Sequence, residues 1–384
     1  MFEKVISFVR EYYEEPNNFI PLHEPRFVGN ERAYVLDTIE STFVSSVGKY
    51  VDRFEEMIKE YTGAKYAIAT TNGTTALHMS LLVAGVKRDD LVITQSLTFI
   101  ATCNAISYVG ANPIFVDVDL DSLGLSSFHL QEFLKTKTIM RNGECFHKES
   151  GKRISACVPM HTFGHPVKID EIVKLCEQYK IALIEDAAES LGSKYKGKEC
   201  GTFGLLGTYS FNGNKTITSG GGGMIVTNDE KIGKLVKHLT TQAKVPHPWH
   251  FVHDHIGYNY RLPNINAALA CAQMEQLDRF ILEKRKLAAA YRGLLQDTSI
   301  RFVEEPEASQ SNYWLNAILL QNLPERDAFL EFSNARNVMS RPAWTLMHKL
   351  SMFADCHKGS DLVNSEFIAD RLVNLPSSVK INNN

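Results

Sequence analysis

Several features are missing from this chain of 384 residues, and each absence excludes a class. No stretch of about 18 uncharged apolar residues occurs, so no transmembrane helix is predicted. The opening segment from Met1 to Asn18 mixes acidic, basic and aromatic residues, without the apolar core or cleavage site of a signal peptide. Cysteine is sparse: Cys103, Cys145, Cys157, Cys176, Cys200, Cys271 and Cys356 are odd in number, scattered, and form no C-x-x-C pair. That pattern predicts reduced thiols in a cytoplasmic protein rather than a disulfide framework. Neither sign of charge dominates, with 41 Lys+Arg against 44 Asp+Glu and a net charge of −3. Nucleic acid is therefore not an expected partner, while a local pocket for a phosphorylated small molecule stays compatible. There is no repeat, and no low-complexity stretch apart from a glycine run and the Asn382–Asn384 tail.

What is present is ordinary in amount and informative in order. Apolar residues are 44% and charged residues 22%, as in soluble globular proteins. The length suits two to three folding units of roughly 150 residues. Residues 1–30 read as an arm, with Pro16, Pro21 and Pro25 interrupting any regular element. From Glu31 the apolar spacing turns helical, through Tyr34, Ile39 and Phe43 and then Val51, Phe54, Met57, Ile58 and Tyr61. Short apolar runs then alternate with longer amphipathic ones. Strands are predicted over 66–69, 91–94, 113–118, 155–159 and 181–184, and helices over 74–84, 100–109, 127–134 and 168–179. This alternation predicts an α/β fold, with a mostly parallel central sheet and helices on both faces. Two strands, 209–211 and 224–227, flank the glycine-rich turn. Residues 265–291 read as one long helical region, and mixed short elements follow. The division expected is an arm (1–30), a large domain (31–255) and a smaller C-terminal domain (256–384), with the boundary near 245–270.

Four segments carry chemistry. Thr70-Thr71-Asn72-Gly73-Thr74-Thr75 lies between a predicted strand and helix. A helix N-terminus there suits a phosphate, and an ordinary N-cap would use the same residues. Ile184-Glu185-Asp186-Ala187-Ala188-Glu189-Ser190 puts carboxylates at the C-terminal end of a buried strand, where open α/β sheets bind ligands. Such a carboxylate can pair with a cationic ring nitrogen or cap a helix. Ser210 to Gly223 holds Lys215 before four consecutive glycines, without P-loop spacing. That lysine is either solvated or a Schiff-base lysine. Gly257-Tyr258-Asn259-Tyr260-Arg261 is a polar aromatic segment.

Together these motifs resemble the fold type I pyridoxal 5'-phosphate (PLP) enzymes, and among them the aminotransferases of nucleotide-linked keto sugars. The resemblance runs from about Phe19 to Pro376 and includes Ser-Leu-Thr-Phe at 96–99. The segments at 21–25, 43–49 and 341–344 look most similar to the branch that makes 4-amino-sugar precursors of bacillosamine and legionaminic acid. The resemblance implies that Lys215 bonds the cofactor and moves protons, and that Asp186 pairs with its ring nitrogen. Gly73, Thr74, Thr75 and Ser210 would bind the phosphate, and Phe99 would stack on the ring. Asn259, with Arg261 behind it, would reach the phosphate of the neighbouring subunit's cofactor, so a homodimer with shared active sites is implied. Glu189 stands near the cofactor hydroxyl, where many relatives carry glutamine. Ser46, Lys49, Tyr50, His161, Tyr313 and Arg341 are the implied substrate contacts, with Trp314 on the same side of the cleft, and His161 reads equally as a structural histidine at a strand end. The implied reaction is ping-pong. L-glutamate leaves as 2-oxoglutarate, the cofactor is carried as pyridoxamine 5'-phosphate, and a UDP-linked 4-keto sugar receives the amine. A related branch with histidine in place of the lysine performs dehydration, and non-catalytic PLP-binding regulators share the fold. Lys215 favours transamination.

One cluster stays outside this scheme. His247, His250, His253 and His255 lie in a predicted loop with Pro246, Pro248 and Trp249. Their spacing permits a metal site, but no cysteine accompanies them and no metal is expected. A loop reaching toward a partner subunit's pocket, or a solvated loop, explains them as well.

Overall fold

The computed structural model describes residues 1–381, and the Asn382–Asn384 tail lies outside the described residues. Its centre is a sheet in the spatial order Tyr66–Thr70, Gly223–Thr227, Leu206–Ser210, Ala182–Asp186, Arg153–Val158, Leu91–Gln95 and Asn112–Val116. Along this path only Gly223–Thr227 runs antiparallel to its neighbours. Leu91–Gln95 is buried throughout, as a parallel strand covered on both faces must be. A hairpin of Thr138–Arg141 and Glu144–His147 extends the sheet beside Arg153–Val158.

The helix Lys49–Thr62 illustrates how pattern becomes packing. Tyr50, Val51, Phe54 and Ile58 recur at helical spacing, all are buried, and Gly63 ends the helix at φ 74°. They share a core with Ala267, Ala268 and Cys271 of the helix Asn264–Met274 and with Tyr209 and Met224 of the sheet. Residues 264–274, assigned to the C-terminal domain by the sequence pattern, thus pack on the large sheet.

The expected single helix over 265–291 is two, Asn264–Met274 and Leu277–Leu295, parted at Glu275 and Gln276. The expected irregular arm contains the helix Phe2–Tyr13, because its prolines begin only at Pro16. Val5, Ile6 and Val9 bury its inner face against Leu287, Tyr291 and Phe329. These side chains cover a second, antiparallel sheet of Arg301–Phe302, Asn316–Leu319, Leu372–Leu375 and Arg341–Pro342. Among the described residues no helix is long and apolar enough to cross a membrane.

Candidate active site

Side chains of a strand alternate between faces, so neighbouring carboxylates part company. Glu185 and Asp186 end the strand Ala182–Asp186, and both are buried. Glu185 accepts from the backbone N–H groups of Gly201 (2.8 Å), Phe203 (2.6 Å) and Gly204 (2.7 Å), and it anchors that loop. Asp186 instead lines a cavity of about 350 Å³ at the C-terminal ends of the parallel strands. Its Oδ2 accepts from Thr102 Oγ1 at 2.7 Å and its Oδ1 from the Ala188 N–H at 3.2 Å. Burial raises the pKa of Asp186, against the opposing pull of Thr102 and Lys215.

Lys215 closes the same cavity, and its side chain is 13% exposed. Its Nζ lies 3.2 Å from Glu189 Oε1 and 3.9 Å from the centre of the Trp314 ring. Glu189 also accepts from the Phe163 N–H at 2.9 Å through its other oxygen. Burial pushes the Glu189 carboxyl up to about 7, although Lys215 pulls the other way.

One end of the cavity is built by the helix Gly73–Val83. Asn72 caps it by accepting from the Thr75 N–H at 2.9 Å, while Thr75 Oγ1 donates to Asn72 O at 2.8 Å. Thr75 is thereby spent on the cap and does not line the cavity. The first-turn N–H groups of Gly73 and Thr74 have no intrahelical acceptor, and both residues line the cavity with Ser210. A Cβ on Gly73 would meet Ser210 Cβ at 2.9 Å, so glycine permits this close approach. The glycine run does not line the cavity: a Cβ on Gly223 would meet Asn72 O at 2.3 Å, so Gly223 packs against the capping turn.

Phe99 lines the cavity beside Trp344, with ring centres 6.1 Å apart. The structure thus brings together Gly73, Thr74, Phe99, Asp186, Glu189, Ser210 and Lys215. The other candidates lie elsewhere. His161 is fully buried, with Nδ1 accepting from the Val167 N–H (3.2 Å) and Nε2 directed to Glu185 (3.1 Å). Both ring nitrogens are engaged, so His161 supports the Glu185 loop rather than touching the cavity. Tyr313 is buried beside His165 and accepts from the Glu305 N–H at 3.1 Å. Arg341 is exposed, with Nη1 donating to Ser340 O at 3.2 Å. Lys49 pairs with Asp37 at 2.8 Å, Tyr50 packs on Tyr34, and Ser46 sits in the preceding loop. Asn259 is exposed and bridges Thr241 outside the cavity. In the histidine-rich loop, Asp254 Oδ1 is held by His238 Nε2 (2.6 Å) and His255 Nδ1 (2.9 Å). These imidazoles bring the Asp254 carboxyl down to about 2.

Trp314 was expected only on the cleft side, and Trp344 only as part of a motif. Both line the cavity. The sequence signal for Trp314 was weak, since it lies about 100 residues from Lys215 along the chain.

This donor set suits one cofactor chemistry. A helix N-terminus with a hydroxyl accepts a phosphate, a buried carboxylate receives a protonated ring nitrogen, and a lysine lines the same cavity. The chain matches one protein family over residues 26–384. It belongs to the DegT/DnrJ/EryC1/StrS aminotransferase family. The protein is 38% identical to GDP-perosamine synthase of Escherichia coli O157:H7, over 95% of each chain. It is 36% identical to GDP-perosamine synthase of Vibrio cholerae, over 93% of this chain and 94% of that one. A crystal structure of a DegT/DnrJ/EryC1/StrS aminotransferase from Brucella abortus superposes with a TM-score of 0.83 at 28% identity, covering 91% of this chain and 90% of that one. The fold is that of the fold type I aminotransferases, and the enzymes of the DegT/DnrJ/EryC1/StrS family are PLP-dependent sugar aminotransferases.

Proposed function

We propose that the protein moves the amino group of L-glutamate to the 4-keto carbon of a nucleotide-linked 4-keto-6-deoxy sugar. The sugar is N-acetylated and carried on UDP, and the product serves surface-glycan or nonulosonic acid biosynthesis. The observation that carries the reading is Lys215 itself, at the cavity between Glu189 and Trp314. A lysine there speaks for transamination and against the dehydratase and regulator readings. The relatives named GDP-perosamine synthase support a nucleotide-linked sugar as acceptor. The segments 21–25, 43–49 and 341–344 are the basis for preferring the bacillosamine and legionaminic acid branch.

PLP, when bound, supplies an electrophilic carbon and an electron sink. Asp186 would keep the proton on its ring nitrogen, because a buried carboxylate favours a cation beside it. Gly73, Thr74 and Ser210 would hold the phosphate, and Phe99 would cover the ring. Lys215 Nζ takes the α-proton from glutamate and later returns a proton to the sugar carbon. Glu189, 3.2 Å away, holds the lysine toward the reacting carbon between these transfers. Trp314 and Trp344 keep water from that side of the cavity.

A homodimer with shared sites belongs to the same proposal, as does a cytoplasmic location. Leu36, Ile39, Phe43, Val44 and Val47 are exposed and apolar, as are Trp249, Phe251 and Ile256. A surface of this kind suits burial against a second copy. Asn259, outside the cavity of its own chain, can then serve the neighbour's.

The test is a panel of UDP- and GDP-linked 4-keto and 3-keto sugars with glutamate, read by product mass and NMR. The UDP-linked N-acetyl 4-keto sugar is expected to exceed the GDP-linked one in kcat/KM by about tenfold or more, a difference of roughly 1.4 kcal/mol in transition-state binding. Preference for the GDP sugar would overturn the nucleotide assignment. Absence of amine transfer to any sugar would overturn the function.

A further inference from the structure

We propose that Lys284 is a positioning residue that sets the place of Lys215 through Trp314. The proposal rests on the reading of Lys215 as the reacting amine.

Lys284 lies on the helix Leu277–Leu295 and is fully buried. Among the described residues it forms no ion pair with a carboxylate. Its Nζ donates to Trp314 O at 3.0 Å and to Ser377 O at 2.7 Å. Burial drives its pKa well below the ordinary lysine value. Two backbone carbonyls, from distant parts of the chain, are there to accept its N–H donors. An apolar side chain of similar length would fill the space without the penalty of burying a polar group. The amine is therefore explained by its donors. Trp314 and Ser377 stand outside the strands Asn316–Leu319 and Leu372–Leu375, so no sheet ladder serves their carbonyls.

What Lys284 holds is the residue under Lys215. The indole Nε1 of Trp314 donates to Asn214 O at 2.6 Å, next to Lys215 in the chain. The indole face receives the Lys215 ammonium at 3.9 Å. The Trp314 N–H donates to Asn312 Oδ1 at 2.8 Å, and Asn312 Nδ2 donates to Glu189 O at 2.9 Å. One tethered tryptophan thus spaces Lys215 from below, while Glu189 engages it from the side.

The experiment compares wild type with Lys284→Met, which removes both donors at similar volume, and Lys284→Gln, which keeps a donating group. Lys215 reactivity is measured in the cofactor-free protein by competitive acetylation across pH, read by peptide mass spectrometry. Amine transfer is measured in the loaded protein. Lys284→Met is expected to raise Lys215 acetylation and lower kcat, each about fivefold, with KM within about twofold. Lys284→Gln is expected to recover part of both. A folded Lys284→Met protein with an unchanged acetylation profile overturns the proposal. If Lys284→Met does not fold, Trp314→Phe decides, because it removes the indole donor and keeps an aromatic face. It should raise acetylation in the same way, and an unchanged profile overturns the proposal. Failure of the underlying reading is distinguishable: wild type would then carry no cofactor on Lys215 after borohydride reduction.

Discussion

Asp186 and Glu189 are 2% and 3% exposed, and each is held by donors from its own chain. Lys49 and Asn259, proposed for the same reaction, stand in solvent, and neither lines the cavity. The first pair has its geometry set by burial, where an unpaired carboxylate is too costly to leave without partners. Lys49 meets the exposed carboxylate of Asp37 and Asn259 bridges Thr241 through its backbone, so neither is held toward the cavity of its own chain. The difference separates side chains whose pose is set within one chain from two, the proposed substrate contact Lys49 and the proposed phosphate contact Asn259, whose proposed roles need a second surface.

Substitutions test that division, beginning with the buried side chains. Lys215→Ala should abolish amine transfer, by about 10³-fold or more, since it removes the proposed reacting amine. The melting transition should persist, and substantial residual turnover would remove the lysine from its role. Asp186→Asn should lower kcat by about 10²-fold, the scale of losing one preorganised electrostatic contact. Steady-state kinetics with saturating PLP checks this, and a loss below about threefold would place Asp186 outside the cofactor site.

Glu189→Gln probes the buried pair through pH. The folded-state pKa of about 7 lies above the ordinary value of 4.5. Between those pH values the folded protein keeps a proton that the unfolded chain releases. Stability from this group is therefore full below about pH 4.5 and is lost as pH rises to about 7. Melting of the cofactor-free protein should fall across that window in wild type and less in Glu189→Gln. Identical slopes would show that Glu189 does not titrate there.

The smallest effect belongs to the exposed pair. Lys49→Ala should change stability by at most about 0.5 kcal/mol, because the Asp37 pair is exposed and screened. A rise in KM for the nucleotide sugar without loss of stability would sharpen the comparison, because the exposed lysine would then serve a site formed between two chains.

Much of this was legible along the chain. Apolar runs of four to six residues alternating with amphipathic stretches define the parallel sheet, because burial on both faces leaves no polar position in such strands. Asn72 and Gly73 mark a helix start, and Asp186 marks a strand end, from nearest neighbours alone. The arm was misjudged at Phe2–Tyr13, since its helix is stabilised by Leu287 and Phe329 far along the sequence. The break at Glu275 and Gln276 was invisible because no glycine or proline marks it.

The sequence by itself determined the β–α alternation, the cap at Asn72, and the lysine on which the proposed chemistry turns. These depend on spacing and on groups a few residues apart. Tertiary structure alone decided that Asp186 enters the cavity while Glu185 ties down a loop. It alone decided that His161 turns its nitrogens away, that the Trp314 ring meets Lys215, and that Lys284 donates to the Trp314 carbonyl. Those outcomes follow from which faces are buried and which distant carbonyls need donors, and local spacing carries no record of either.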